Sequence, residues 1–373
     1  MTGILTFYWA DDYGAMLQVY ALRTYLEGQG ETAEIIPYAP LRLRGRYQLI
    51  PVNAAYKCGK WIFFRNFLSF FHKLSYARQF YKRRMSMCCF RKNYLSGKKP
   101  IEDARKLRLQ PYKVVFVGSD QVWNSAITFG LDDAYMGNIE RGESCRLIAY
   151  GASFGREKPP RREWREFKNA ISNNFTAVSL REREGADFVE RLLKRPVVDV
   201  LDPIFLLDKD VWRNLGRKPQ EKKYILFYIT EPQEFMLWFT NRLSETSGMP
   251  VVQLSCPFKG KQEKSFLLRM DAGPEEFVGY FQYASCVITN SFHGLAFSIL
   301  FEKQFLVFQR SVYHTRLQNL LEKFSLEQRL IKQGETADLA CMDKEIDWPA
   351  VRRCLQEERE HSEKFIREGI KEI

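Results

Sequence analysis

The sequence predicts an α/β protein: two Rossmann-like domains facing a cleft. Three observations carry that expectation: a β-α-β opening, two series of short apolar runs separated by helical stretches, and a polar break between the series. Ile4-Leu-Thr-Phe-Tyr8 reads as the first buried strand. After the loop Trp9-Ala-Asp-Asp-Tyr13, apolar residues recur at helical spacing from Gly14 to Tyr25. Gly28 and Gly30 close that helix, and Ala33-Glu-Ile-Ile-Pro37 supplies a second strand. A basic, aromatic insert at about 40–100 then interrupts the alternation. Beyond it stand four strand candidates, 113–117, 146–150, 175–179 and 197–201, ended by Asp202-Pro203. Residues 208–222, polar and holding Gly216 and Pro219, read as a linker. The second series is 224–229, 250–254, 285–289 and 304–308, and a highly charged helix, Arg352 to Ile373, follows. The expected domains are therefore 1–207, with the insert, and 208–373, with the charged helix.

With 373 residues, 45% of them apolar and 14% aromatic, the chain is large enough for two cores. It has no uninterrupted apolar run of about 18 residues, so no spanning helix is expected. Met1-Thr-Gly-Ile-Leu-Thr-Phe-Tyr8 lacks the basic region and small-residue cleavage site of a secretory signal. The eight cysteines are scattered and form no Cys-x-x-Cys spacing. A cytoplasmic protein with reduced thiols is the expectation.

The net charge of +12 is concentrated in one place. Fifteen lysines and arginines, and no acidic residue, lie between Glu34 and Glu102. Setting those fifteen apart from the 57 basic residues leaves 42 against 45 acidic, a balance of −3. Such clustering points to a polyanionic surface or partner. Within the insert, Lys60-Trp-Ile-Phe-Phe-Arg-Asn-Phe-Leu-Ser-Phe-Phe-His-Lys73 has the composition of an interfacial helix on anionic lipid, and basic residues continue from Tyr76 to Lys92. The other reading is a core helix hairpin with a solvated basic face. No recognised nucleic-acid-binding fold accompanies the patch, so no nucleic-acid partner is expected.

In doubly wound sheets ligands bind beyond the carboxyl ends of the strands. The segments following four of the predicted strands are Gly118-Ser-Asp-Gln-Val-Trp-Asn124, Gly151-Ala-Ser-Phe-Gly155, Leu180-Arg-Glu-Arg-Glu-Gly185 and Asn290-Ser-Phe-His-Gly294. The last breaks a strand into a helix, whose first turn offers free N–H groups and a partial positive charge to an anion. His293 would add a proton donor there, or be an ordinary turn histidine. Asp120 reads either as a helix N-cap or as a substrate contact. Arg181 and Arg183 read as ligand arms or as ion-pair partners of Glu182 and Glu184. Trp123 reads as packing. Gly14 opens either an ordinary strand–helix junction or an anion-receiving helix.

Taken together these segments resemble the polysaccharide pyruvyl transferase family. The match runs through Asp12-Tyr-Gly-Ala-Met-Leu-Gln-Val-Tyr-Ala-Leu22, Val117-Gly-Ser-Asp-Gln-Val-Trp-Asn124, Tyr150-Gly-Ala-Ser-Phe-Gly155, Ser179-Leu-Arg-Glu-Arg-Glu-Gly185, Asp202-Pro203, Thr289-Asn-Ser-Phe-His-Gly294 and Arg316-Leu-Gln-Asn-Leu-Leu321. The resemblance implies a glycosyltransferase-B-like fold. It also implies a ketal pyruvyl transfer from phosphoenolpyruvate to two hydroxyls of one sugar, with release of phosphate. On that chemistry neither a metal nor an organic cofactor is expected, phosphoenolpyruvate being the donor substrate.

The implied catalytic residues are His293 as phosphate ligand and general acid, Arg181 on the donor's carboxylate or phosphate, and Asp120 as base or substrate contact. Arg183, Ser119, Gly14, Asn124, Ser291 and Arg316 are the implied substrate-binding residues. The expected acceptor is a saccharide carried on a polyprenyl diphosphate. Residues 40–100 would then rest on the inner face of an anionic membrane. Two alternatives share the fold: a nucleotide-sugar glycosyltransferase, and a non-catalytic peripheral membrane scaffold.

Overall fold

The two series of apolar runs become two separate six-stranded sheets in the computed structural model, which describes residues 1–44, 77–231, 233–254, 265–311 and 315–371. The interfacial-helix expectation for 60–73 lies outside those residues. Among the described residues every strand pairing is parallel. Parallel strands are covered on both faces, which is why the predicted runs are apolar throughout rather than alternating.

The chain divides into two compact units. One comprises Met1–Ala77, Cys88–Leu207 and Glu358–Ile373; the other comprises Arg78–Met87 and Asp208–Glu357. In the first, β1 (Thr2–Leu5), α1 (Tyr13–Gly28) and β2 (Ala33–Ile35) form the predicted β-α-β opening. The short α2 (Leu41–Arg44) follows. Helix α3 (Ala77–Phe90), whose residues Arg78–Met87 belong to the second unit, runs into a π-helical turn, Arg91–Leu95. Then come β3 (Val114–Gly118), α4 (Ser125–Thr128), β4 (Arg146–Ala152), α5 (Trp164–Asn174), β5 (Phe175–Leu180), α6 (Arg183–Leu193) and β6 (Val198–Asp199). The strand order is β2-β1-β3-β4-β5-β6. Chain direction reverses across the sheet between β1 and β3, so their carboxyl ends form the topological switch point.

The second unit holds α7 (Lys209–Leu215), β7 (Ile225–Tyr228), α8 (Glu234–Ser247), β8 (Val251–Gln253), β9 (Phe266–Leu268), α9 (Pro274–Tyr283), β10 (Cys286–Thr289), α10 (Phe292–Leu300), β11 (Gln304–Phe308), α11 (Thr315–Lys323) and β12 (Leu330–Ile331). Its order, β12-β11-β10-β7-β8-β9, puts the switch point between β7 and β10. Ile225, Phe227, Ile288, Leu306 and Phe239 are central to its core. Burial pushes the Cys286 thiol up to about 12, so this cysteine behaves as a core apolar group.

Two expectations are corrected. Residues 208–222 do not form a plain linker, because α7 buries Trp212 edge-on against Phe297, ring centroids 5.1 Å apart. The terminal helix α12 (Trp348–Lys371) does not belong wholly to the second unit. Its last turns join the first: Ile366 is buried, Ser362 Oγ accepts from the Leu201 N–H at 2.9 Å, and Phe365 lies 6.3 Å from Tyr150. The edge strands β9 and β12 were not anticipated, being three and two residues long. Among the described residues no helix is long and apolar enough to cross a membrane.

Candidate active site

In the second unit the switch point is tied together by one buried side chain. Asn290, just past β10, accepts the Thr230 N–H at 2.8 Å and donates to the Glu231 carbonyl, both just past β7. Thr289 Oγ1 donates to the Tyr228 carbonyl at 2.6 Å and accepts from the Ser291 N–H at 3.1 Å. These bonds fix the angle at which α10 leaves the sheet. Ser291 occupies the N-cap position with extended backbone, yet its side chain makes no capping bond. The N-terminus of a helix without a side-chain cap is a place where an anion can be received.

His293 is the second residue of α10, half-buried, with its ring edge-on to Phe292 at 5.3 Å. From α11 the Arg316 guanidinium lies over the Phe292 ring, 5.7 Å from its centroid. Ser291, His293 and Arg316 are therefore brought together. The loop after β11 adds Arg310, ion-paired with Glu231 at 3.5 Å, and Ser311, whose N–H donates to Glu231 at 3.2 Å. Glu231, Arg310 and the Asn290 tie were missed in the sequence. Asn290 had a signal, since a buried amide directly after a strand must find partners.

Gly294 allows α10 to press onto β10. A Cβ there would stand 2.2 Å from Thr289 Oγ1, which its two hydrogen bonds hold in place. Gly294→Ala should cost about 1–3 kcal/mol as the helix is pushed off the strand. Chemical denaturation should show that loss, and kcat/KM should fall with it.

In the first unit the post-β3 loop turns back sharply. Gly118 has φ +139°, and a Cβ there would meet the Tyr150 carbonyl at 2.4 Å. Ser119 follows at φ +59°, its N–H donating to that same carbonyl at 2.7 Å and its Oγ at 3.3 Å. A serine held in the left-handed region is strained, and such strain gathers at functional sites. Asp120 is half-buried at the loop's apex, its carboxylate accepting the Gln121 N–H at 2.7 Å. It does not cap a helix. Asn124 does, accepting the Ala126 N–H at 3.1 Å while its amide donates to Gln121 at 2.8 Å. Asn124, expected to contact substrate, is thus a loop-holding residue. Trp123 packs, as anticipated, between Phe154 and Phe167.

Arg181 differs most from its expected role. Its side chain is 2% exposed and ion-paired at 2.8 Å with Asp202, itself 0% exposed. The pairing joins two of the family-like segments. Such a guanidinium suits a positioning role better than the open donor fork expected of it. Glu182, also missed, is buried and accepts from Ser153 Oγ at 2.6 Å, tying the post-β4 and post-β5 segments. Arg183 is exposed at the first position of α6. Gly14 is the second residue of α1, whose N-cap Asp12 accepts the Ala15 N–H at 3.1 Å. A carboxylate already serves that terminus, so the anion-receiving role of Gly14 gives way to an ordinary junction.

The Tyr150 hydroxyl donates to the Leu201 carbonyl at 3.0 Å, and burial raises its pKa well above the ordinary value, with Asp202 adding to the rise. Among the described residues no group of three or more His, Cys, Asp or Glu side chains could hold a metal ion.

Fold and site together define an α/β protein of two parallel-sheet units, one presenting a histidine and arginines at a helix N-terminus that no side chain caps, the other a strained loop with a carboxylate. The chain belongs to the polysaccharide pyruvyl transferase family, whose model matches residues 12–311. No curated protein matches the sequence significantly. Solved structures with overall similarity include Arabidopsis thaliana UGT89C1 complexed with UDP-L-rhamnose, at 12% identity and TM-score 0.40 over 99% of this chain and 93% of that one. A putative UDP-N-acetylglucosamine 2-epimerase from Listeria monocytogenes is 12% identical, TM-score 0.44, over 96% and 89%. The E. coli heptosyltransferase WaaC with ADP is 10% identical, TM-score 0.41, over 96% and 99%.

Proposed function

We propose that this transferase moves the pyruvyl group of phosphoenolpyruvate onto two hydroxyls of one sugar, forming a cyclic ketal and releasing phosphate. The observation that carries the reading is the first turn of α10, uncapped by Ser291, with His293 upon it and Arg316 beside it. The helix N-terminus and Arg316 suit a doubly charged phosphate. His293 protonates the donor's methylene carbon, which makes the neighbouring carbon electrophilic. Asp120 takes the proton of an attacking sugar hydroxyl. The carbon–oxygen bond to phosphate then breaks, the second hydroxyl of the same sugar adds to that carbon and its proton leaves with the phosphate, whose charge is met at the first turn of α10. Arg181, through Asp202, positions the loops after β5 and β6 in the first unit. Ser119 and Arg183 complete the polar surroundings of the acceptor.

The proposed acceptor is a saccharide on a polyprenyl diphosphate, at an anionic membrane face. Exposed Arg78, Tyr81, Lys82, Arg84 and Met85 on α3 support that surface reading. The test is phosphate release with a galactose- or N-acetylhexosamine-terminated acceptor, with and without anionic vesicles. Phosphoenolpyruvate-dependent release, raised by vesicles, is expected. Turnover of a nucleotide sugar instead would make the protein a glycosyltransferase, and no vesicle effect would remove the membrane.

A further inference from the structure

A concavity lies in the first unit along α6. A groove of about 580 Å³ runs between the post-β4 segment and α6, lined by Glu157, Lys158, Trp164, Glu184, Asp187, Phe188, Arg191 and Leu192. Its volume is within the roughly 300–1,000 Å³ of small-molecule sites. The aromatic wall is fixed in place: Trp164 Nε1 donates to the Pro159 carbonyl at 2.9 Å, and its ring packs 5.0 Å from Phe188. The backbone of Glu157 comes close enough to α6 that a Cβ on Gly185 would lie 3.8 Å from its carbonyl oxygen. One rim is therefore anchored to the first turn of α6, immediately after Glu182 and Arg183.

The geometry points to a subsite for a non-reacting sugar of the acceptor chain. A pyranose has an apolar C–H face and a rim of hydroxyls. The first suits the fixed indole and phenyl surfaces; the second donates to carboxylates, which are acceptor-only when ionised. Three carboxylates against Lys158 and Arg191 leave the groove at −1, which disfavours a phosphate-bearing donor and favours a neutral or amino sugar. The groove's Glu157–Glu184 end, past the carboxyl ends of β4 and β5, suits the next unit of an oligosaccharide whose terminal sugar is at the reaction centre. This inference rests on the proposed transfer to a saccharide.

The test compares monosaccharide with tetrasaccharide acceptors, both galactose-terminated, in wild type, Glu157→Gln/Asp187→Asn and Trp164→Leu. These substitutions alter the groove's lining and leave the Asp120 loop and α10 untouched. For the tetrasaccharide, acceptor KM should rise about tenfold or more in each variant, with kcat and the KM for phosphoenolpyruvate unchanged. For the monosaccharide nothing should change. Equal KM in variant and wild type with the tetrasaccharide would overturn the subsite, as would a matching loss with the monosaccharide. Titration calorimetry of wild type with the tetrasaccharide separates the two ideas. Binding that the variants weaken, without any phosphoenolpyruvate turnover, sinks the transfer and keeps a saccharide site; turnover with variant-insensitive binding does the reverse.

Discussion

His293→Gln should bind phosphoenolpyruvate with wild-type affinity and lose about 10²–10⁴-fold in kcat, the usual contribution of a positioned general acid. Glutamine retains a polar head at the second position of α10 but cannot deliver a proton to carbon. The surroundings that receive phosphate do not depend on it: the uncapped first turn and Arg316 over Phe292 remain. Arg316→Ala should show the opposite split, a raised KM for the donor with kcat less affected. Equilibrium binding and single-turnover kinetics on the two variants separate the roles. If His293→Gln instead abolishes donor binding, the histidine is a phosphate ligand and the proton comes from elsewhere.

The second large effect is on stability. Arg181→Met should destabilise the protein by about 3–5 kcal/mol, because it strands the Asp202 carboxylate in a buried, water-poor place. Asp202 also accepts the Ile204 N–H at 3.0 Å, capping the short turn Pro203–Leu206, so its own removal strikes two interactions. Arg181→Met/Asp202→Asn should recover much of the loss, since the unpaired charge is gone while the asparagine oxygen can still cap. Denaturation midpoints for the two variants test this directly. If the double variant regains stability without activity, Arg181 positions the site. A double variant with both restored would leave the pair a purely structural one, and an Arg181→Met protein as stable as wild type would contradict the buried ion pair itself.

Much of the fold was legible because parallel strands buried on both faces write themselves as unbroken apolar runs, and each predicted run falls on a strand. The edge strands were not: two or three residues such as Leu330-Ile331 hold no period to read. Helix α7 was hidden in a polar stretch because its burial depends on two residues, Trp212 and Leu215. Site residues divided along a similar line. The loop positions of Ser119, Asp120 and His293, set by the local turn, could be read from glycines and polar groups following a strand. Roles set by distant partners could not. Arg181 looks like an exposed arginine beside two glutamates until Asp202, twenty-one positions on, is folded against it. Asn124 and Gly14 likewise became structural once their caps were visible.

The most direct test of the central claim is the chemical identity of the product. Wild-type protein, phosphoenolpyruvate and a galactose-terminated saccharide should yield phosphate and modified sugar in equal amounts. The sugar should gain the mass of one pyruvic acid less one water, with a single quaternary ketal carbon in its NMR spectrum. Phosphate released with the sugar unchanged, or a sugar carrying an open enolpyruvyl ether with its methylene intact, would contradict ketal transfer.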